Sequence, residues 1–423
     1  MNQKESVVAW LDGHKSDLQQ LLSELIRIPS VTGEEYAVQM AVKSYAEKYG
    51  LAVETCAFDE AQKRPCVLVT YQGNGAGKYL LLDAHSDTVP VAEGDVWEHP
   101  PFSGDFDGTW IYGRGAADDK WGIATALMTL RALKECGVEL AGDVSLLSSV
   151  GEEVGIKGRL EVGSGAMVAS MKKKPDFCIV CEESGNSIGT EAPCNIKFTV
   201  KVRGKAAHSC GRRKCIYPQN NGTGSGSAVG VDGLQKAMLV LDAFYRLERE
   251  LSVNHNRGGM IGTGRAGIGA VTINPIRIEG GGTNSLIPLV TIDYNMHYSP
   301  AYTKEEMLGL LQDTLQGVAM TDLWLRENPP IFELFSHTGG FCCDPNHPAI
   351  ELLRRAGGAV FGTPAEVAPW PAGCDADVLE PYAPTVVYGP SGAFAHGPNE
   401  RGNLQKMVDS AKVYALTAMD FCK

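Results

Sequence analysis

Nine residues combine a metal-binding or proton-transferring side chain with a place at the end of an apolar run or the start of a helix. His85 directly follows LLLDA, and Asp87 stands two residues later. Asp118 and Asp119 lie in GRGAADDK, Glu152 and Glu153 follow DVSLLSSVG, and Glu182 and Glu183 follow DFCIVC. His396 lies in AFAHGPNE, shortly after TVVYG. Taken singly, each has an ordinary explanation. A histidine at a strand end is usually a satisfied structural residue, a glutamate pair in a loop is usually solvated, and an aspartate before a helix is usually a cap. Their coincidence gives them weight, because every one of these segments finishes in an imidazole or a carboxylate. Such donors, without thiolate, suit zinc, manganese or cobalt in a catalytic site.

The elements that must position these groups alternate. Residues 4–28 predict one amphipathic helix, with Val7, Trp10, Leu11, Leu18, Leu21, Leu22 and Leu25 near helical spacing. KYLLLDA (78–84), DVSLLSSV (143–150), DFCIVC (176–181) and TVVYG (385–389) read as strands, and KWGIATALMTLRALKECG (120–137) as a helix closed by Gly137. Alternating strands and helices predict an α/β fold with a mostly parallel central sheet. Functional groups collect at the carboxyl ends of strands in such sheets. After residue 188 the texture changes to a small α+β insert. Its strands are NIKFTVKVRG (195–204), AVTINPIRIEGG and LVTIDYNMHY (289–298), and its long helix spans 233–251. The helix KEEMLGLLQDTLQ reads as the return to the first texture. We therefore expect a discontinuous catalytic domain, 1–187 with 301–423, interrupted by a lid domain at 188–300.

Bulk properties narrow the partners. The chain has 423 residues, enough for two full cores, and a formal net charge of −12, which disfavours a nucleic-acid partner. No run approaches the roughly 20 apolar residues of a membrane helix, and the N-terminus carries no secretion signal. A cytoplasmic, reduced protein is expected despite 12 cysteines. Cys178 and Cys181 form a CxxC, but a strand there would put the thiols on opposite faces. NNGTGSGSAVG (220–230) reads as a mobile loop. GTGRAG (262–267) matches a dinucleotide-binding fingerprint by letter, but a strand follows it where a helix is needed.

The ordered motifs LLLDAHSDTVPV, GRGAADDKWG, SVGEEVG, CIVCEES and AHGPNE resemble the zinc hydrolases that include acetylornithine deacetylase, succinyl-diaminopimelate desuccinylase, aminoacylase and the glutamate-releasing carboxypeptidases. The resemblance spans residues 20 to 420. It implies two Zn²⁺ per chain, with Co²⁺ or Mn²⁺ as substitutes. His85, Asp118 and Glu182 would hold one metal, with Asp118 bridging to a second held by Glu153 and His396. It implies that Asp87 hydrogen-bonds the metal-bound imidazole and that Glu152 is the general base, taking a proton from water and passing it to the leaving amine. His208, in GKAAHSC, would reach across a homodimer interface to stabilise the oxyanion, and Asn284, in GGTNSLIP, would touch substrate. The implied activity is deacylation of an N-acyl amino acid or N-acyl diamine. A dipeptidase or carboxypeptidase with the same machinery, a one-metal enzyme and a non-catalytic binding protein on this fold remain open.

The sequence departs from that pattern in three places. Glu183 replaces a proline, which leaves open which glutamate binds metal. His297, in YNMHY, stands where relatives carry an arginine that clamps the substrate carboxylate, and an imidazole lacks the bidentate fork. Arg257 or Arg265 could compensate. The insertion GRRKCIYPQNNGTGSGSAVG (211–230) follows His208, and its Arg212, Arg213 and Lys214 read best as a solvated basic loop. Trp370, Cys374 and Asp375, in PWPAGCDAD, fall in a segment expected to line the substrate pocket, as does SGAF (391–394).

Overall fold

The computed structural model describes residues 2–61, 63–211, 230–254, 271–281 and 285–423. The chain folds into two compact units. The larger is Met1–Ala192 with Phe341–Lys423, and the smaller is Pro193–Gly340.

The larger unit is built on an eight-stranded sheet. In spatial order its strands are Ala52–Ala57, Pro65–Tyr71, Val144–Ser149, Leu80–His85, Phe177–Val180, Thr385–Val387, Ile188–Gly189 and Val367–Ala368. The four in the middle, from Val144–Ser149 to Thr385–Val387, run parallel. Pro65–Tyr71 and Ile188–Gly189 flank them antiparallel. Parallel strands covered on both faces read as continuous apolar runs, and Leu80, Leu81 and Leu82 are all buried. Leu80, Leu82, Ile179 and Cys181 pack with the helices Lys120–Glu135 and Leu404–Phe421, while Leu81, Cys178 and Val180 pack with Met167 and Leu379 on the other face. The CxxC cysteines thus enter separate cores. Every described cysteine is a free thiol. No helix among the described residues is long and apolar enough to cross a membrane.

The expected single N-terminal helix is two, Gln3–Gly13 and Lys15–Ile26. The break falls at Gly13–His14, where the His14 ring stacks on Trp10 with centroids 3.8 Å apart and its Nδ1 lies 2.7 Å from the Trp10 carbonyl. That contact satisfies a carbonyl of the last turn, as helix ends require.

The smaller unit has a four-stranded antiparallel sheet, ordered Thr272–Glu279, Leu289–Tyr298, Cys194–Arg203, Ile331–Thr338. The helices Gly233–Val253 and Lys304–Thr321 bury Phe244, Met307 and Leu311 in one core with Phe198 and Tyr294 of the sheet. Its boundary differs from the expected 188–300. Lys304–Thr321 stays in this unit because its apolar face joins that core, and Ile331–Thr338 stays because it pairs with Cys194–Arg203. Residues 220–229 and 262–267, with Arg212, Arg213, Lys214, Arg257, Arg265 and Asn284, lie outside the described residues.

Candidate metal centre

The parallel register brings the carboxyl ends of the middle strands side by side. His85 pairs with Ser149, Asp83 with Val180, and Val387 with Val180. The side chains of the segments that follow these strands therefore share one edge. Gly389 keeps the Glu182 segment close, since a Cβ there would lie 2.5 Å from the Glu182 carbonyl oxygen.

Asp118 arrives from a loop that Glu400 clasps. One Glu400 oxygen accepts the backbone N–H groups of Gly115 at 2.8 Å, Ala117 at 3.0 Å and Asp118 at 3.2 Å, and the other pairs with Arg114. Glu400 and Arg114 are both buried. Removing one member of a buried pair strands the other charge, so Glu400→Gln should cost about 3–5 kcal/mol of stability. A lowered thermal midpoint would register it. His396 arrives on a strained loop, where Phe394, His396 and Asn399 hold left-handed backbone at φ 62°, 62° and 61°.

These approaches converge on Asp118. Its Oδ1 lies 2.8 Å from His85 Nε2, and its Oδ2 lies 2.9 Å from His396 Nε2. Glu153 Oε2 lies 3.1 Å from His396 Nε2, and Glu182 Oε1 lies 3.6 Å from His85 Nε2. Burial alone would push the Asp118 carboxyl up, but hydrogen bonds from His396 and His85 hold it well below the usual range. The hydrogen bonds that His396 donates to Asp118 and Glu153 raise its imidazole to about 10. Burial pushes Glu183 up to about 7.

The donor set fits divalent cations. Among the described residues, three groupings bring ligand atoms within 4.8 Å of one another: His85 with Asp118 and Glu153, His85 with Asp119 and Glu182, and Asp118 with Glu182 and Glu183. Glu153 Oε1, Glu183 Oε2 and Asp119 Oδ1 are buried acceptors without a hydrogen-bond donor. A cation would compensate such oxygens, which are otherwise costly.

Asp87 acts differently from expectation. His85 Nδ1 lies 3.0 Å from its backbone carbonyl and 3.7 Å from its carboxylate. The carboxylate instead accepts the backbone N–H of Glu152 at 3.1 Å, the N–H of Glu153 at 3.2 Å and the Thr32 hydroxyl at 2.8 Å. It ties the His85 strand to the glutamate loop, and it orients the imidazole through its main chain.

A cavity of about 240 Å³ opens over these residues, lined by Asp118, Glu152, Glu153, Glu182, Glu183, Trp370 and His396, among others. Glu152 faces it, and its pKa is pushed up to about 8 by burial against the pull of Arg159. Asp375 does not line it. Its oxygens accept the hydroxyls of Ser149 at 2.9 Å and Ser164 at 2.5 Å, so it braces the sheet from below. Trp370, Ala372 and Gly373 supply that wall instead. Cys374 is buried behind them. His208 and His297 belong to the smaller unit. His208 is exposed and its main chain forms an isolated antiparallel bridge with Ser285. His297 stands opposite Asn195 and Thr272 in the sheet, and burial holds its pKa below the usual value.

Two buried arginines beside the site, Arg114 and Arg159, had no place in the sequence reading. Arg114 belongs to the Glu400 clasp, and AHGPNE contained its partner without stating a role. Arg159 pairs with Glu152 at 2.9 Å. A lone arginine on the short helix Ile156–Glu161 leaves no periodic signal.

Comparison with known proteins places the chain in a family. Residues 81–420 match Peptidase family M20/M25/M40. The chain is 26% identical, over 97% of its length and 96% of the relative's, to N-formyl-4-amino-5-aminomethyl-2-methylpyrimidine deformylase of Bacillus subtilis (strain 168). It is 23% identical, over 94% of its length and 97% of the relative's, to succinyl-diaminopimelate desuccinylase of Bradyrhizobium sp. (strain BTAi1 / ATCC BAA-1182). Aminopeptidase PepT from Bacillus cereus ATCC 10987 shares the fold with a TM-score of 0.73 at 18% identity, covering 97% of this chain and 99% of that one. The match covers most of the chain and includes every strand end that carries a candidate ligand, so the chain belongs to peptidase family M20/M25/M40 and is a metal-dependent hydrolase of amide bonds.

Proposed function

We infer that the chain is a deacylase that releases a short acyl group from a small N-acyl amine, using two zinc ions. The observation that carries this is Asp118, whose two oxygens face His85 and His396 while Glu152 lines the same cavity. His85, Asp118 and Glu182 would hold one ion, and Asp118, Glu153 and His396 the other. Cobalt or manganese would fit the same oxygens and imidazoles. Cations so held polarise a carbonyl oxygen and acidify water.

The chain's own residues supply the proton transfers. Glu152 takes the proton of the attacking water and delivers it to the leaving nitrogen as the amide bond breaks. Asp87, through the N–H groups of Glu152 and Glu153, keeps base and ligand in fixed relation. Of the two adjacent glutamates, Glu182 is the closer to His85. Glu182→Gln should therefore reduce metal per chain by more than Glu183→Gln does, since Glu183 reaches the centre only in the grouping with Asp118 and Glu182. Elemental analysis of the two purified variants decides between them.

The described lining carries no lysine or arginine, so none of its residues offers a clamp for a substrate carboxylate, which favours an N-acyl amine over an N-acyl amino acid. His297 in place of a clamping arginine favours the same side. The relationship to a deformylase of an aminomethyl pyrimidine and to a desuccinylase supports the deacylase side. Turnover of N-formyl, N-acetyl and N-succinyl amines beside dipeptides tests this. Higher kcat/KM on N-acyl amines is expected, and a preference for dipeptides would move the assignment to a dipeptidase. The working unit is a cytoplasmic homodimer to which His208 and Asn284 contribute, as the resemblance implies. Light scattering gives its mass.

A further inference from the structure

Glu152 is held from behind by a side chain that never reaches the cavity. Arg159, almost wholly buried, places Nη2 at 2.9 Å from Glu152 Oε1. Its Nη1 lies 2.9 Å from Asp377 Oδ2 and donates to the Cys374 carbonyl at 2.8 Å, and its Nε approaches the Glu152 carbonyl at 3.5 Å. The guanidinium therefore grips both the side chain and the main chain of Glu152 and anchors them to the segment carrying Cys374 and Asp377. A planar fork fixed at both ends tolerates little rotation, unlike a lysine ammonium.

We propose that Arg159, itself fixed by Asp377 and the Cys374 carbonyl, is the positioning residue for Glu152, holding Oε1 so that Oε2 meets the reacting proton. This rests on the assignment of Glu152 as general base. Asp377 belongs to none of the metal-holding groupings and a guanidinium is no metal ligand, so metal binding and base positioning are separable. Asp377 has a defined part. It neutralises the second face of the guanidinium and keeps it from swinging into the acid-lined cavity, where it would compete with a cation for the carboxylates.

The test compares Arg159→Met, Arg159→Lys, Asp377→Asn, Glu152→Gln and the double variant Arg159→Met/Glu152→Gln. The readouts are kcat, KM, metal per chain and thermal midpoint. A misplaced catalytic group can cost about 100-fold, so Arg159→Met should lower kcat by roughly 10- to 100-fold. KM should stay within about twofold and metal content should be unchanged, since substrate and metal contacts are elsewhere. Arg159→Lys should recover part of the loss, and Asp377→Asn should show a smaller fall in the same direction. On the residual turnover of Glu152→Gln, adding Arg159→Met should have no further effect, because residues acting as a unit are not additive. A merely structural arginine would slow both backgrounds equally, and that result would overturn the inference. So would wild-type kcat in Arg159→Met beside a crippled Glu152→Gln, which leaves the base assignment standing. Full activity in Glu152→Gln would remove the base assignment itself. If Arg159→Met does not fold, Arg159→Lys and Asp377→Asn decide by the same criteria.

Discussion

Replacing Glu152 by glutamine is expected to lower kcat by about 10²- to 10⁴-fold, the range that general acid–base groups contribute, without loss of metal. The reason lies in two neighbouring glutamates with separate tasks. Glu153 stands 3.1 Å from His396 and belongs to a grouping with His85 and Asp118, whereas Glu152 belongs to none. Glutamine keeps the shape and a hydrogen bond to Arg159 but cannot accept a proton. The arginine would then face a neutral amide with Asp377 as its remaining anion, so a modest fall in thermal midpoint accompanies the kinetic loss. Steady-state kinetics with elemental analysis of the same preparation checks both parts. Loss of metal together with activity would mean that Glu152 is a ligand, and unchanged turnover would mean that the base lies elsewhere.

Asp118→Ala should produce the other large effect, and it should be of a different kind. One carboxylate faces both imidazoles, so its removal opens the contact between the two halves of the centre. Metal per chain should fall at both positions, with turnover lower by at least the roughly 10²–10³ that one lost electrostatic stabiliser costs. His396→Ala removes a donor from one side only, and should leave more metal bound than Asp118→Ala. Chelation of the wild type should abolish turnover, and back-titration with zinc, cobalt or manganese should restore it as the second equivalent binds. Full recovery at one equivalent would establish a one-metal enzyme.

The clustering of the candidate residues was largely readable because a parallel sheet converts sequence order into spatial order. Each of His85, Glu152, Glu153, Glu182 and His396 follows an apolar run, and parallel pairing puts those ends along one edge. What escaped depends on three-dimensional choices that periodicity does not encode. The helix Lys304–Thr321 has an apolar face suited to either core, and packing with Phe198 and Tyr294 decided between them. Asp375 sits among pocket residues in the chain, but the hydroxyls of Ser149 and Ser164 turn it inward. Asp87 was expected beside an imidazole, yet its carboxylate serves the loop of Glu152 and Glu153, because three donors converge on it there. The expectation for Glu183 stayed open for a similar reason: adjacent acids differ only in which way the strand end turns them.

The strand Thr385–Val387 lies between Phe177–Val180 and Ile188–Gly189, although the whole of Pro193–Gly340 separates it from them in the chain. During synthesis the ribosome must therefore complete the smaller unit before the larger one can close. Until the last segment emerges, the nascent sheet has an open slot beside Phe177–Val180, and the pocket lacks His396. A product terminated before Thr385 would carry His85 and the acidic loops without the strand Thr385–Val387 or His396, so any hydrolysis that needs His396 waits for that segment.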